Sequence, residues 1–257
     1  MAEAVVVDVL RGIPHGFMTK WGGVSQGEVA GLQCGFGAGD DDSHVRENRR
    51  IASDMVLPGA TLVTPYQVHS AKAAIVTEPW AWEDRPQVDA VVTDRPGLLL
   101  GIVTADCAPV LLADREACIV AAAHAGWRGA HGGVIEATVE AMASLGAQPS
   151  RIAAAIGPCI AQESYEVGDS FRENFPSDAD AGFFEPGREG HWQFDLEGYV
   201  AKRLRGAGVP LPHAVSQDTY SARREDDGAF EYYSYRRATH RHEANYGRQI
   251  SLIGLPG

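Results

Sequence analysis

The sequence has few cysteines, and no two of them stand in a CxxC spacing. The four are Cys34, Cys107, Cys118 and Cys159, scattered along 257 residues. This pattern contains neither the CxxC redox motif nor the paired cysteines of a zinc ribbon. We therefore expect free thiols in a reducing compartment, where each cysteine is by default a small apolar residue of the interior.

Basic residues are also in short supply. Lys and Arg total 22 against 34 Asp and Glu, and the formal net charge is −12 at pH 7. A surface of this sign repels the phosphate backbone of a nucleic acid and the headgroups of an anionic membrane. We therefore expect neither as a partner, whereas an anionic small molecule fits a site where arginines cluster.

The chain lacks an apolar run long enough to span a membrane, because Asp106 and Asp114 interrupt its longest apolar region. Its first residues, MAEAVVVDVLRGIPHG, have no basic segment ahead of their short apolar run. They do not resemble a secretory signal peptide. We therefore expect a cytoplasmic protein.

What the sequence does contain is a series of short runs typical of buried β-strands. Residues 4–10 and 60–64 are rich in β-branched side chains, and from residue 88 onward four apolar runs follow one another across turn-length gaps. These runs are VDAVVT, GLLLGIVTA, PVLLAD and CIVAAAHAG. The short gaps between these runs predict a meander of neighbouring strands, and residues 151–156 are predicted to form one more strand.

Helices are predicted around these strands. Asp42 or Ser43 can cap an early helix, because both side chains accept hydrogen bonds from the first backbone N–H groups of a helix. Later elements are a helix over 132–145, helices around 168–175 and 196–207, and a strand pair near 213–217 and 230–237. No Pro-, Gly- and Ser-rich linker divides the chain, so we predict one α+β domain over residues 1–257.

Three residues with metal-binding side chains stand at the ends of predicted strands: His69, Cys107 and His124. They are 38 and 17 residues apart, so only the fold can bring them together. Two imidazoles and one thiolate suit Zn²⁺ and leave a fourth position open for water, whose pKa the metal lowers toward about 7. Two alternatives stay open: ordinary hydrogen-bonded core residues, or a metal-free pair in which Cys107 is the nucleophile.

Two aspartates, Asp89 and Asp106, lie within apolar runs that predict buried strands. A buried carboxylate without a partner is costly, so each is expected to have a partner or a catalytic role. Arg128, which follows HAGW, is a candidate partner. A buried ion pair of purely structural value is the alternative.

Arginines form three groups in this acidic chain: Arg49 with Arg50, Arg128 alone, and Arg236 with Arg237 in YYSYRR. A guanidinium binds phosphate or carboxylate through two parallel hydrogen bonds, and an aromatic neighbour can stack on a flat ring. The groups therefore indicate an anion-binding site, with solvated surface arginine as the alternative for each.

Nine blocks occur along the chain in a specific order: HGFMTKWGGVSQG, GDDDSHVRENR, QVHSA, VDAVVT, GIVTADCAPVLLAD, AAAHAGWRGAHGGV, IGPCIAQESYEVG, YYSYRR and GRQISLIGL. In these blocks the sequence resembles the YfiH-type family. Members are described as polyphenol oxidase (laccase-domain) proteins, as a peptidoglycan editing factor and as zinc-dependent purine nucleoside phosphorylases. The resemblance spans about residues 12 to 255.

The resemblance implies a single α+β domain of mixed β-sheets flanked by helices, with one metal, Zn²⁺, bound by His69, Cys107 and His124. It implies phosphorolysis of adenosine, inosine and methylthioadenosine, and hydrolytic deamination of adenosine. We assign catalytic roles to Cys107, Asp106 and Arg128, and contacts with substrate or phosphate to Asn48, Arg49, Gln67, Asp89 and Arg237. The alternatives are a peptidoglycan-precursor editing amidase, a copper-dependent polyphenol oxidase and a non-catalytic metal-binding module.

The two implied reactions make different demands on the residues. In deamination, hydroxide held by zinc attacks C6 of adenine while an acid/base group moves protons. Asp106 neighbours Cys107, but strand alternation would turn its side chain to the other face. In phosphorolysis, arginines orient phosphate for attack on C1′ through an oxocarbenium-like state.

Two features limit what the resemblance implies. Asp218, in QDTYSA, stands where many relatives have a cysteine, so no role of that thiol applies here. A multicopper laccase needs several His-x-His pairs, and this chain has one, His240 with His242. A site of two histidines and one cysteine can nevertheless take up copper, because Cu²⁺ outcompetes Zn²⁺ at most nitrogen and sulfur sites. Oxidase activity is then expected as an effect of metal substitution.

Overall fold

The apolar runs of the sequence form strands in the computed structural model, which describes residues 1–257. The strands are β1 (Ala4–Val5), β2 (His15–Met18), β3 (Thr61–Val63), β4 (Ala73–Ile75), β5 (Ala90–Thr93), β6 (Leu98–Thr104), β7 (Ala108–Asp114), β8 (Ile119–Ala125), β9 (Ala153–Ile156), β10 (Glu166–Gly168), β11 (Phe184–Pro186), β12 (His191–Phe194), β13 (His213–Ala214) and β14 (Gln249–Gly254). The helices are α1 (Asp42–Val56), α2 (Trp127–Gly132), α3 (Val134–Ser144), α4 (Asp169–Arg172), α5 (Leu196–Gly206) and α6 (Tyr235–His240).

Two large sheets and one small sheet organise these strands. The five-stranded sheet has the order β1-β2-β14-β6-β3, and the six-stranded sheet has the order β13-β9-β7-β8-β5-β4. Both are mixed, since β3 runs parallel to β6 and β4 runs parallel to β5, whereas most other pairs are antiparallel. The small sheet has the order β10-β12-β11.

Alternation along the strands decides which layer each side chain enters. In β8, Val120 and Ala122 join a core shared by the two large sheets, whereas Ala121 and Ala123 join a second core with α3 and α5. The opposite face of the five-stranded sheet packs against α1, with Leu99 in that third cluster. The layers are therefore helix, sheet, sheet and helix.

This architecture is the predicted α+β domain of mixed sheets flanked by helices. The predicted helix over 196–207 is confirmed as α5, and that over 132–145 is confirmed as α3. Gly133, with φ of 107°, separates α3 from the short α2 before it. No helix combines the length and the apolar character that crossing a membrane requires.

The predicted meander is wrong at one strand. Strands β5, β7 and β8 are neighbours in the six-stranded sheet, but β6 lies in the five-stranded sheet between β14 and β3. Both faces of β6 are apolar because each is covered by another layer, so its sequence gives no sign of which sheet it joins. Its main partner, β14, is distant in the chain and was not predicted.

The predicted strand over 230–237 is also wrong. Residues Tyr235–His240 form α6 instead, and the Ser234 side chain accepts a hydrogen bond from the backbone N–H of Arg237. A serine in this position stabilises the first turn of a helix. The aromatic residues that suggested a strand are Tyr232 and Tyr233, which are buried just before the helix.

Several predicted boundaries shift by a few residues. The strand over 4–10 shortens to β1 and is followed by a 3-10 helix at Asp8–Leu10, and the strand at 213–217 shortens to β13. The strand over 151–156 and the helix over 168–175 become the shorter β9 and α4. The cap of α1 is Asp41, whose side chain accepts from Ser43 N. Element ends depend on single hydrogen bonds, which sequence patterns do not specify.

Asp114, the last residue of β7, is a buried acid. It is 1% exposed and accepts hydrogen bonds from the Arg151 guanidinium at 2.8 Å and from the backbone N–H groups of Gln148 and Glu116. Burial opposes ionisation, but the bonds from Arg151 and Gln148 outweigh it and hold the pKa of Asp114 below its ordinary value of 3.8. The ionised carboxylate therefore stabilises the fold.

We expect Asp114→Asn to lower the free energy of unfolding by about 2 kcal/mol at neutral pH, because Arg151 loses its charged partner. The folded-state pKa lies below the unfolded value, so this contribution is present above pH 3.8 and is lost as the pH falls through the folded-state pKa. Urea unfolding over a pH series should show the two proteins converging in acid. Asp54→Asn, which breaks an exposed pair with Arg50, should have little effect; equal losses in both variants would contradict the prediction.

Candidate functional site

The three predicted metal ligands lie together in the structure. His69 lies in the segment after β3, Cys107 in the turn between β6 and β7, and His124 next to the end of β8. His124 has the same strand parity as Val120 and Ala122, so its side chain turns toward the space between the large sheets. Cys107 Sγ is 3.7 Å from His69 Nε2, and ligand atoms of all three residues lie within 4.8 Å of one another.

The pairing of β7 with β8 explains part of this convergence. Ala108 pairs with Ala125, so the next positions outward, Cys107 and Gly126, face each other across the end of the sheet. A Cβ atom on Gly126 would lie 2.8 Å from His69 Cδ2 and 2.9 Å from Cys107 Sγ. A side chain at position 126 would therefore collide with His69 and Cys107, and Gly126 in HAGW leaves space for both.

Asp89 holds both histidines in place. It is wholly buried and accepts hydrogen bonds from the backbone N–H groups of Val68, His69 and Ser70, from the Ser70 hydroxyl, and from His124 Nδ1 at 2.8 Å. The bond to Nδ1 leaves His124 Nε2 free to bind a metal, the usual arrangement of a ligating histidine. Burial raises the pKa of Asp89, but His124 and Ser70 lower it to about 2.

The backbone of His69 is itself unusual, because its φ is 58° in the left-handed region that favours glycine. Its N–H donates to Asp89 Oδ1 at 2.9 Å, which fixes this conformation. Backbone strain of this kind, about 1–3 kcal/mol, persists where the surroundings over-determine the geometry, often at functional sites.

The donor set fits a zinc ion. Tetrahedral zinc, with bonds of about 2.3 Å to sulfur and about 2.0 Å to nitrogen, places those atoms roughly 3.5 Å apart, close to the 3.7 Å between Cys107 Sγ and His69 Nε2. Burial raises the pKa of Cys107, but the neighbouring His124 and His69 lower it to about 6. The thiolate, which is the form that binds metals, is therefore accessible at neutral pH.

A pocket of about 510 Å³ opens beside the three donors, which form part of its lining. Three arginines also line it, Arg49, Arg85 and Arg248, and no Asp or Glu does. Its aromatic lining consists of Phe36, Tyr66, Trp82, Tyr235 and Tyr246. In a chain of net charge −12, this is a locally cationic cavity with flat apolar walls.

Arg49, on α1, is the most constrained of the three arginines. Its Nε donates to the Cys34 carbonyl at 2.8 Å and its Nη1 to Thr64 Oγ1 at 3.1 Å, and its guanidinium lies over the Phe36 ring. No carboxylate lies within salt-bridge distance, and burial lowers its pKa to about 10. A guanidinium held by neutral acceptors at a pocket wall retains its charge for an anionic ligand.

Gln67 and Asn48, which were also predicted to contact substrate or phosphate, lie in different places. Gln67 lines the pocket, where its side chain exchanges two hydrogen bonds of 2.8 Å with the backbone of Val103. Asn48 is buried outside the pocket and bonds Val24 N, Ser25 Oγ and the Gln33 carbonyl. Asn48 therefore orders the glycine-rich loop that precedes α1.

Asp106 does not face the pocket. It lies in the turn after β6, with φ of 83°, so the argument from strand alternation does not apply to it. Its carboxylate accepts from Thr219 Oγ1 and from the backbone N–H of Arg236, each at 2.7 Å. The predicted pairing with Arg128 is wrong, because these groups satisfy Asp106 and Arg128 stacks on Trp127.

Arg237 also lies away from the donors. Its guanidinium is buried and donates to the carbonyls of Thr219, Tyr220 and Tyr232. It lines a separate, smaller cavity on the other side of α6. The three carbonyls that bind Arg237 come together only in the tertiary structure. The YYSYRR motif therefore could not show whether Arg237 lies in the pocket beside the donors or in the smaller cavity.

Sequence reasoning missed several residues of the pocket lining. Trp82 and Arg85 come from the segment between β4 and β5, and the Trp82 ring centroid is 4.3 Å from that of Phe36. Arg248 precedes β14 and contacts Gly35 and the Tyr246 ring. The one available signal was the pairing of aromatic residues with arginine in WAWEDR, the same pattern that singled out YYSYRR.

Comparison with known proteins identifies relatives along nearly the whole chain. Residues 14–256 match the family model described as "Multi-copper polyphenol oxidoreductase laccase". The chain is 42% identical over 245 residues to a purine nucleoside phosphorylase of Deinococcus radiodurans, covering 95% of this chain and 90% of the relative. It is 34% identical over 250 residues to purine nucleoside phosphorylase YfiH of Escherichia coli, covering 95% of each chain.

A solved structure shares the whole fold. A Neisseria meningitidis protein assigned to family-model DUF152 superposes with a TM-score of 0.85 at 34% sequence identity, covering 100% of this chain and 99% of that one. Fold, motifs and overall sequence therefore agree, and the chain belongs to the YfiH-type, laccase-like family.

Proposed function

We propose that the protein is a zinc-dependent purine nucleoside phosphorylase that cleaves adenosine, inosine and methylthioadenosine with inorganic phosphate. The observation that carries this proposal is one pocket in which a His-Cys-His donor set meets three arginines and no acid. Relatives with the name purine nucleoside phosphorylase cover 95% of the chain. The pocket volume, about 510 Å³, suits a small-molecule substrate.

In this proposal His69, Cys107 and His124 hold the metal, and Asp89 fixes the orientation of the histidines. When bound, zinc supplies a Lewis acid that polarises a coordinated oxygen. Two nitrogen donors and one sulfur donor suit this ion. Copper would compete for the same donors on affinity alone, so the resident metal is part of the test.

Arg49 is proposed to bind the attacking phosphate. Its Nη2 has no protein acceptor, and its other bonds, to the Cys34 carbonyl and Thr64 Oγ1, hold the guanidinium still. Phosphate oxygen forms the new bond to C1′, the C1′–N9 bond breaks, and its electron pair leaves with the purine. Fixing phosphate in line with that bond removes the entropic cost of bringing the two reactants together.

The aromatic residues are proposed to bind the base. Phe36, Trp82 and the tyrosines of the pocket offer flat faces, and stacking on such faces binds any purine. The departing purine takes up a proton, and the hydroxyls of Tyr66, Tyr235 and Tyr246 are neutral donors among the side chains that line the pocket. Tyr66 and Tyr235 are about half exposed, so solvent can replace the proton.

Hydrolytic deamination of adenosine is the second reaction that we propose. Zinc deaminases use a glutamate as the acid/base group, whereas no carboxylate lines this pocket and Asp106 is bonded to Thr219 and Arg236. Phosphorolysis needs no carboxylate in that position. We therefore expect deamination to be the slower reaction.

The geometry favours phosphorolysis over the alternatives. The structure holds one cluster of three or more His, Cys, Asp or Glu ligands, whereas a multicopper oxidase requires several copper ions. A non-catalytic metal module would saturate its ion with protein ligands, yet these three donors adjoin an open cavity. An editing amidase would need room for a nucleotide-sugar peptide beyond this pocket.

The test is a direct assay of the purified protein, prepared without added metal. Zinc and copper are quantified per chain, and adenosine is followed by chromatography with and without phosphate. We expect about one zinc per chain, adenine only when phosphate is present, and inosine regardless of phosphate. Adenine formation that does not depend on phosphate would indicate a hydrolase and overturn the phosphorylase proposal.

Arg49→Met should raise the KM for phosphate by about 10- to 100-fold, the effect of losing a charge-assisted hydrogen bond. The KM for adenosine should change much less, since the base contacts remain. Arg50→Met is a matched control, because Arg50 is the next residue but pairs with Glu47 and Asp54 on the surface. Equal phosphate KM values in the two variants would contradict the assignment.

A further inference from the structure

A second cavity, of about 260 Å³, lies on the other side of α6 from the substrate pocket. Three arginines, Arg223, Arg237 and Arg241, surround one aromatic ring there, that of Phe230. We propose that this cavity, the Phe230 pocket, binds a phosphate dianion, either as inorganic phosphate or as a small phosphomonoester. The proposal does not depend on the reaction assigned to the substrate pocket.

The charge of the Phe230 pocket is the first argument. The guanidinium carbons of Arg223 and Arg237 are each 3.9 Å from the Phe230 centroid, and that of Arg241 is 4.8 Å away. Neither Arg223 nor Arg237 has a carboxylate partner, and Arg241 has one at 3.8 Å, Glu243. Three cations that converge on one ring repel one another, and a bound dianion would relieve that repulsion.

The rigidity of Arg237 is the second argument. Its side chain is buried, and three backbone carbonyls accept its N–H groups. Carbonyl groups orient a guanidinium without neutralising it, so this arginine is pre-organised at the base of the cavity. Arg223 is similarly held by the carbonyl of Gly228 at 2.7 Å. Little side-chain entropy is then lost when an anion binds.

The remaining lining defines the class of ligand. Tyr220 and His240 are joined by a 3.1 Å contact between the Tyr hydroxyl and His Nδ1, and the Ser221 hydroxyl donates to Asp218. These groups can bond the oxygens of a small alcohol next to the phosphate. The cavity is about half the volume of the substrate pocket, so a phosphate with a short carbon chain fits better than a nucleoside.

Helix α6 separates the two cavities. Tyr235, in its first turn, lines the substrate pocket, whereas Arg237 and His240 line the Phe230 pocket. The backbone N–H of Arg236, between them, donates to Asp106, the neighbour of Cys107 in the chain. A ligand of the Phe230 pocket therefore does not occupy the substrate site, and the two binding events can be measured separately.

The test uses the His240 ring as a local reporter. Ring signals of the full-length protein are followed by NMR during titration with glycerol 3-phosphate and, separately, with inorganic phosphate; His240→Gln identifies the signal. We expect a saturable shift. The affinity for the ligand should fall by about tenfold or more in Arg223→Met/Arg241→Met, because two charge-assisted contacts are lost. Both arginines are exposed, so this variant should fold, and urea unfolding verifies it.

The control variant, Arg11→Met/Arg205→Met, removes the same charge at exposed positions outside the Phe230 pocket and should titrate like the wild type. Tighter binding of glycerol 3-phosphate than of phosphate would identify a phosphomonoester as the ligand, and the reverse order would identify free phosphate. No saturable shift with either probe would overturn the proposal. An unchanged shift in Arg223→Met/Arg241→Met would overturn it as well.

Discussion

Cys107→Ala is expected to purify with almost no zinc and to lose phosphorolysis by well over 100-fold. Loss of a group that merely supports a metal ligand costs about 10- to 100-fold, and this substitution removes a ligand itself. The thiolate is the only anionic donor among the three residues, so the remaining two imidazoles would hold the ion weakly. Elemental analysis and the chromatographic assay measure the two losses independently.

Cys118→Ala is the matched control for this experiment. Cys118 is an exposed free cysteine in the turn between β7 and β8, away from the donors and the pocket. It should keep both zinc and activity. If Cys107→Ala kept its zinc but lost activity, Cys107 would be the nucleophile rather than a ligand. If it kept both, the metal assignment would fail.

Asp89→Asn is expected to weaken zinc binding by about 10- to 100-fold and to lower the free energy of unfolding by about 3 kcal/mol. The carboxylate is wholly buried and accepts from His69 N, Ser70 N and His124 Nδ1, among others. An amide in its place presents an NH₂ group to some of these donors, so at least one is left unpaired. The histidines then lose the partner that orients both of them.

Competition with a chelator measures the zinc affinity of Asp89→Asn, and urea unfolding measures its stability. Excess zinc should restore part of the activity, because all three ligands remain present. Asp8→Asn is a suitable control, since Asp8 is an exposed carboxylate paired with Arg11. Wild-type zinc affinity in Asp89→Asn would show that the buried carboxylate does not support the metal site.

The comparison of Asp89 with Asp106 shows how far local sequence reasoning reaches. Both stand beside apolar strand residues, and both are buried with satisfied carboxylates, as the cost of burying an unpaired charge predicts. Asp89 bonds the two histidine ligands, whereas Asp106 bonds Thr219 and the backbone of Arg236. The sequence predicted that each carboxylate has hydrogen-bond partners. Which residues those partners are depended on segments far from Asp89 and Asp106 in the chain.

The strands likewise separate what the sequence predicts from what the tertiary structure decides. Apolar content predicted β5 to β8 as buried strands, and all four are. The sheet membership of β6 depended on its pairing with β14, which begins more than 140 residues downstream of it. Pairing partners compete on small differences in packing, and an apolar run covered on both faces carries no periodic signal to distinguish them.

The sequence by itself determined the fold class, the family and the chemical type of the donors, because strand-forming runs, helix periodicity and ordered motifs are local properties of the chain. Only the tertiary structure decided that Arg49, Arg85 and Arg248 share one pocket with the donors, and that Arg237 belongs to another cavity. A site is a set of distances between residues remote in sequence. Those distances come from the packing of the layers around it, which no single stretch of the chain encodes.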